Sequence, residues 1–151
     1  MQALQDRLDI QQIISLYSEG CSLRDWDQVM GTFLTDGIWE VPKRGITITG
    51  HAALRAAMSS MVATLDYFVQ INAPAIITLD GDHATARSLI RECGKHSGRP
   101  EALEVMGRYS DELVRTPEGW KFAKRTFDGL GLQGFPLIPP ILPSKQAGVS
   151  G

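Results

Sequence analysis

Glu92 closes the segment "ATARSLIREC", and strand alternation there puts Ala84, Ala86, Ser88, Ile90 and Glu92 on one face. Thr85, Arg87, Leu89 and Arg91 share the other face. The first face is the smaller and more apolar one, which predicts that it points inward. A carboxylate in such a setting has its pKa raised toward the range useful to a general base. Tyr17 and Tyr109 can donate hydrogen bonds to a developing enolate or phenolate oxygen. Arg125 can pair with Glu92 or hold an oxyanion or carboxylate of a ligand; a purely structural Glu92–Arg125 ion pair near the sheet edge is the alternative. Asp25 is the second candidate acid, but "DWDQ" has the form of a capping box, and that role also explains it. The three histidines, His51, His83 and His96, fall at a helix start, in the "DGDH" turn and in the "GKHSG" loop, where structural roles are expected.

Other chemistries lack their residues. There is no phosphate-binding loop, GxSxG, HExxH or CxxC, and the acids and histidines do not stand at metal-ligand spacing. Neither a metal nor a cofactor is expected. A net charge of −2 gives no broad attraction for nucleic acid or anionic lipid. No apolar run approaches the roughly 20 residues that span a bilayer, and "MQALQDRLDIQQ" does not have the basic-then-apolar form of a signal peptide. Two cysteines make no disulfide framework, so a reducing cytoplasmic setting is expected.

The elements that must position these groups follow from periodicity. Leu8, Ile10, Ile13, Ile14, Tyr17 and Cys21 form one helical stripe, with Asp6, Asp9, Gln12 and Glu19 turned to water. A short second helix starts at Asp25, and "LTDG" ends it. "GIWEVP" and "GITIT" read as strands, and "HAALRAAMSSMVATL" as a third helix. "FVQINAPAIITL", "ATARSLIREC", "ALEVMGRYSDELVRT" and "WKFAKRTFDG" then form an antiparallel meander, giving an α+β layout. Along the later strands, Val105, Gly107 and Tyr109 share a face, and Ala123, Arg125 and Phe127 alternate with Phe122, Lys124 and Thr126. The domain is expected over 1–131. Residues 132–151 are expected to form a proline-rich apolar arm and a disordered tail.

The stretches "ISLYSEGCSLRDWDQVMGTFLTDGIWEV", "ITGHAAL", "ITLDGDHATARS" and "YSDELVRTPEGWKFAKRTFDG" occur in this order over roughly residues 5 to 130. The chain thereby resembles the SnoaL-like branch of the nuclear transport factor 2 superfamily. The resemblance implies a cone-shaped α+β barrel, a strongly curved sheet wrapped around helices with an apolar cavity between. Members include polyketide cyclases, scytalone dehydratase and hexachlorocyclohexane dehydrochlorinase, and others only bind proteins or small molecules, so fold alone does not decide function. By resemblance to the dehydrochlorinase pattern, the faces carrying Ile90, Val105 and Arg125 look into the cavity. Tyr17, Cys21 and Ser22 come from the first helix, Trp39 from a strand, and Met58 and Met61 from the third helix. Gln70, Gly107, Tyr109 and Phe127 complete the expected ligand-binding wall.

The lyase branch uses an Asp–His pair to remove a proton, the carboxylate fixing the imidazole tautomer. In that pattern the Asp stands five residues after the tyrosine of the first helix, which here is Ser22. The His falls within Phe68, Val69, Gln70 and Ile71, none of which takes a proton at neutral pH. The expectation is a cofactor-independent lyase or isomerase on a small hydrophobic, aromatic or polycyclic substrate, with Glu92 first and Asp25 second as base. A binding protein that has lost the dyad is the alternative. An interaction module using Arg87, Leu89, Arg91, Met106 and Arg108 is a third. A homo-oligomer, trimer or dimer, is expected from the outer sheet face and the arm.

Overall fold

The computed structural model describes residues 1–137. Helix α1, Gln2–Leu23, buries Ile10, Ile14, Tyr17 and Cys21 along one side. Stepping back four residues from Ile10 reaches Asp6, which is therefore buried as well, against the expectation that it faces water. Arg115 grips it through both guanidinium nitrogens at 2.6 and 2.7 Å, and the Trp120 indole nitrogen donates to it at 3.2 Å. The paired guanidinium holds the Asp6 carboxyl far below the usual range despite its burial. Leu8, expected in the apolar stripe, is exposed.

Arg24 ends α1 in the left-handed conformation with φ 61°, and α2, Trp26–Gly31, starts at once. The backbone N–H of Gln28 donates to the Asp25 carboxylate at 3.0 Å, so Asp25 is the N-cap. The Gln28 side chain does not complete a capping box and turns instead to the Leu16 carbonyl and Glu19. The turn between α2 and the first strand is shorter than expected. β1 spans Phe33–Val41 and takes in all of "LTDG". A single 3-10 turn, Pro42–Arg44, leads to β2, Ile46–Thr49, and α3 covers His51–Val62.

The remaining strands are β3 (Leu65–Asn72), β4 (Ile76–Asp80), β5 (His83–His96), β6 (Glu101–Thr116) and β7 (Gly119–Pro136). "FVQINAPAIITL" is thus two strands. The break contains Pro74, which has no N–H for a ladder, and the Ala75 N–H goes to the Gln11 side chain. The sheet order is β2-β1-β7-β6-β5-β3, with β4 also on β5, and β1–β7 is the parallel pair. The result is one curved, open, mixed sheet around α1 and α3, the expected α+β cone. Residues 132–136, assigned to the arm from sequence, are the end of β7, where Leu132 pairs Val105 and Phe135 pairs Ala102. Of the rest of the expected arm and tail, Leu137 follows β7 and residues 138–151 lie outside the described residues.

Two bulges bend β7 against β6. Its register shifts between Met106 and Gly107 and again between Glu112 and Leu113. The second leaves Ala123 as an extra residue, so Phe122 faces inward with Arg125 and Phe127 rather than opposite them. On the outer face Leu89 and Met106 are exposed, and Arg91 pairs with Glu104. Among the described residues no helix is long and apolar enough to cross a membrane.

Candidate functional site

Between the sheet and the helices lies a cavity of about 490 Å³. Its apolar wall comes from Trp26, Trp39, Val41, Ile46, Met58, Met61, Val62, Leu65, Phe68, Val105 and Phe127. The polar groups on it are few: Tyr17, Tyr109, Cys21, Gln70, Glu92 and, on the 3-10 turn, Arg44. An apolar concavity of this size with a handful of convergent polar groups is the usual form of a small-molecule site.

Glu92 stands where alternation puts it. Gln70 is its register partner on β3, and the Gln70 amide donates to Glu92 Oε1 at 2.7 Å. Burial raises the Glu92 pKa, and the Gln70 bond only partly opposes that. Among the described residues no lysine, arginine or histidine forms an ion pair with it.

The two tyrosines meet beside it. Tyr17 and Tyr109 hydroxyls are 3.2 Å apart, and the Trp39 indole N–H donates to the Tyr109 oxygen at 3.2 Å. An indole nitrogen can only donate, so Tyr109 must accept there. One hydroxyl hydrogen is then spent between the two tyrosines, and the other is left over for a ligand. Burial raises both phenol pKa values well above normal, so both stay protonated donors. Burial likewise pushes the Cys21 thiol up to about 12, which keeps it neutral and non-nucleophilic at ordinary pH.

Arg125 does not pair with Glu92 and does not line the cavity. It is wholly buried behind the tyrosines, with its guanidinium carbon 4.2 Å from the Tyr17 ring centre, 4.0 Å from Tyr109 and 4.2 Å from Phe122. Its partner is Asp111, directly opposite on β6, at 2.8 and 3.1 Å. Burial alone drives a guanidinium pKa down, but Asp111 and the ring hydroxyls hold that of Arg125 above its ordinary value. Asp111 is a residue the sequence reading missed. The alternation through Val105, Gly107 and Tyr109 reaches it one step further on.

Other expected site residues also sit off the wall. Asp25 is exposed at the α2 N-terminus, committed to capping and outside the cavity. Ile90 is core. Gly107 lies under Phe127, where a Cβ would come within 2.4 Å of the ring, so it permits packing and does not touch a ligand. Ser22 is turned away, donating to the Ser18 carbonyl at 2.7 Å and accepting from the Gln70 backbone N–H at 2.9 Å. Ser22, where the resemblance sets the acid of a dyad, is therefore held by an uncharged contact against the β3 stretch 68–71 in which the resemblance sets the histidine. None of the histidines lines the cavity; His51 contacts the Phe33 carbonyl at 3.2 Å and His96 the Thr64 hydroxyl at 3.3 Å. Trp26, Arg44 and Phe68 are wall residues the sequence reading did not select. Phe68 was accessible, since it shares a β3 face with Gln70.

A curved open sheet closing over helices and an apolar pocket defines the nuclear transport factor 2-like class of fold. Within it, the SnoaL-like domain family matches residues 2–126, and the chain belongs to that family. A provisionally assigned aromatic ring hydroxylase from Novosphingobium aromaticivorans is 29% identical, with a TM-score of 0.80 over 87% of this chain and 94% of that one. A provisionally assigned scytalone dehydratase from the same species is 17% identical, TM-score 0.80, over 90% and 91%. The hexachlorocyclohexane dehydrochlorinase LinA-type3 from Novosphingobium barchaimii is 19% identical, TM-score 0.81, over 91% and 97%. The last two likenesses establish the shared fold.

Proposed function

We propose that this protein is a cofactor-independent lyase or isomerase that moves a proton on a small hydrophobic substrate, with Glu92 as the base. The observation that carries the reading is a cavity-facing carboxylate with no cationic partner, positioned through one oxygen by Gln70 and leaving the other free. Burial raises its pKa, which makes its ionised form a stronger base than a solvated glutamate. Glu92 takes a proton from a carbon acid. The electron pair left behind moves onto an adjacent carbonyl oxygen, or expels a leaving group from the next carbon. The spare hydroxyl hydrogen of the Tyr17–Tyr109 pair bonds the oxygen that gains charge. Return of the proton at another carbon gives isomerisation, and loss of the leaving group gives elimination. Dehydratase and dehydrochlorinase, the names of two proteins that share the fold, both denote eliminations.

A non-catalytic binding role is the second reading, favoured by the uncharged contact between Ser22 and the stretch 68–71, where the resemblance sets the dyad and this chain carries no acid or histidine. One experiment separates the two. A panel of aromatic and terpenoid compounds is screened by thermal stabilisation of wild type and Glu92→Gln. Stabilising compounds are then incubated in heavy water and followed by mass spectrometry for deuterium uptake or fragment loss. Catalysis predicts exchange or loss with wild type and neither with Glu92→Gln. Equal binding to both proteins, with every compound returned unlabelled, overturns the catalytic reading in favour of the binder.

A further inference from the structure

We infer that the substrate is an apolar carboxylic acid whose carboxylate is held at the cavity mouth by Arg44, with its reacting carbon at the opposite side near Glu92. The inference rests on the cavity being a ligand site and adds the chemical class of the ligand. Arg44 is the one cationic side chain among the residues that line the cavity. It is exposed, and among the described residues no carboxylate lies within ion-pairing distance of it. That sets it apart from the cations around it. Its neighbour Lys43 is paired with Asp128 at 2.7 Å, and Arg108 reaches the same carboxylate at 3.9 Å. Lys124, further along β7, has Glu112 at 3.1 Å and Glu40 at 3.7 Å. Lys43 and Arg108 thus share the carboxylate of Asp128, and Arg44 is left as the unpaired cation on the cavity lining among the described residues.

The position of Arg44 is built. Pro42 opens its 3-10 turn and Gly45 closes it at φ 65°, a left-handed conformation that glycine adopts without strain. The Gly45 N–H donates back to the Pro42 carbonyl at 3.0 Å. The planar guanidinium fork matches a carboxylate through two parallel bonds. Glu92 is on β5, three strand steps from β1, whose end carries the turn. At roughly 4.8 Å per step the two sites stand about 14 Å apart along the sheet, and less across its concave side. An apolar body of two or three fused rings fills that span. The charges also sort the orientation, because a carboxylate is repelled from ionised Glu92 and drawn to Arg44.

The test uses matched pairs: naphthoic acid, biphenylcarboxylic acid and a tricyclic terpenoid acid, each with its primary amide. Dissociation constants are measured by calorimetry on wild type, Arg44→Gln and Arg44→Lys at low and moderate salt. The expected result is at least a tenfold preference of wild type for acid over amide, weakening as salt rises. Arg44→Gln should bring the ratio to about one, and Arg44→Lys should retain part of it. Equal affinity of wild type for acids and amides, or a preference that survives Arg44→Gln, overturns the inference while leaving the cavity a ligand site. Failure of both acids and amides to bind overturns the ligand-site reading itself, and this inference with it.

Discussion

Two carboxylates on the inner face of the same sheet fare differently: Asp111 on β6 is buried in the core, and Glu92 on β5 is half-buried on the cavity wall. Asp111 has Arg125 opposite it with two good hydrogen bonds, and three aromatic rings close over the cation. Glu92 has only a neutral amide. Burial raises the pKa of both, but at Asp111 the guanidinium pulls against it through charge and hydrogen bonds, whereas at Glu92 one Gln70 bond is all that does. The difference teaches how this fold separates support from chemistry. A buried ion pair held by two hydrogen bonds and stacked under aromatic rings backs the tyrosines, although Arg125 Nη1 is left without a partner, while a carboxylate with no counter-charge among the described residues keeps a free oxygen facing a cavity. A carboxyl group is structural in the first setting and, on the function proposed above, the base in the second.

The sharpest way to break the comparison is to remove the cation. Arg125→Met leaves Asp111 buried with no counter-charge, which should cost roughly 3–5 kcal/mol in urea denaturation. The double variant Asp111→Leu with Arg125→Met should regain much of that loss, because no charge is then left stranded. A single-variant cost below about 1 kcal/mol, on the scale of an exposed ion pair, would mean that Asp111 is already neutral in the native protein.

Glu92→Gln is the opposite experiment, since it removes a charge that nothing neutralises. Turnover or deuterium exchange should fall by about a hundredfold to ten-thousandfold, the usual worth of a positioned base, and the fold should be retained. The pH dependence has a definite sign. A native pKa raised above 4.5 means the folded protein holds the Glu92 proton longer than the unfolded chain does. Stability from this group is therefore complete below about 4.5 and is lost as pH rises through the native pKa. Wild type should lose stability relative to Glu92→Gln across that window, while its activity rises with pH as the base ionises. Parallel stability curves for the two proteins would show that Glu92 has the same pKa folded and unfolded.

How much of this was legible beforehand depends on whether period alone decided the placement. The inward position of Glu92 follows from unbroken alternation along β5, and that of Tyr17 and Cys21 from the helical stripe of α1. Asp111 was reachable by the same rule, and it was passed over because an acid inside a core looks wrong until its partner is known. The partner depended on β7, where the bulge at Ala123 changes which residues face inward, and no local signal in "WKFAKRTF" announces an extra residue. Asp6 escaped for a similar reason: its partner Arg115 lies 109 residues away. Arg44 was not selected because what distinguishes it, the lack of an ion-pair partner among the described residues, shows only in the structure.

The comparison can be sharpened further between the two tyrosines, where smaller effects are expected. Tyr109→Phe removes one of the two hydroxyls and should lower turnover by about a hundredfold with little change in ligand affinity, if charge develops on oxygen in the transition state. Trp39→Phe is gentler. It keeps an aromatic ring on the cavity wall but removes the N–H that Tyr109 accepts at 3.2 Å, together with part of the indole's volume. The lost hydrogen bond costs about 1 kcal/mol, and the smaller ring adds a packing cost to it. The informative readout is the ratio of its effects on kcat and KM. Without the indole donor, Tyr109 is free to rotate its hydroxyl, so the spare hydrogen is less often aimed at the ligand. A fall of several-fold in kcat with KM unchanged assigns Trp39 to orienting that hydroxyl. A rise in KM alone would make Trp39 part of the apolar wall and nothing more, and the polarity of the tyrosine pair would then have to be set by Tyr17.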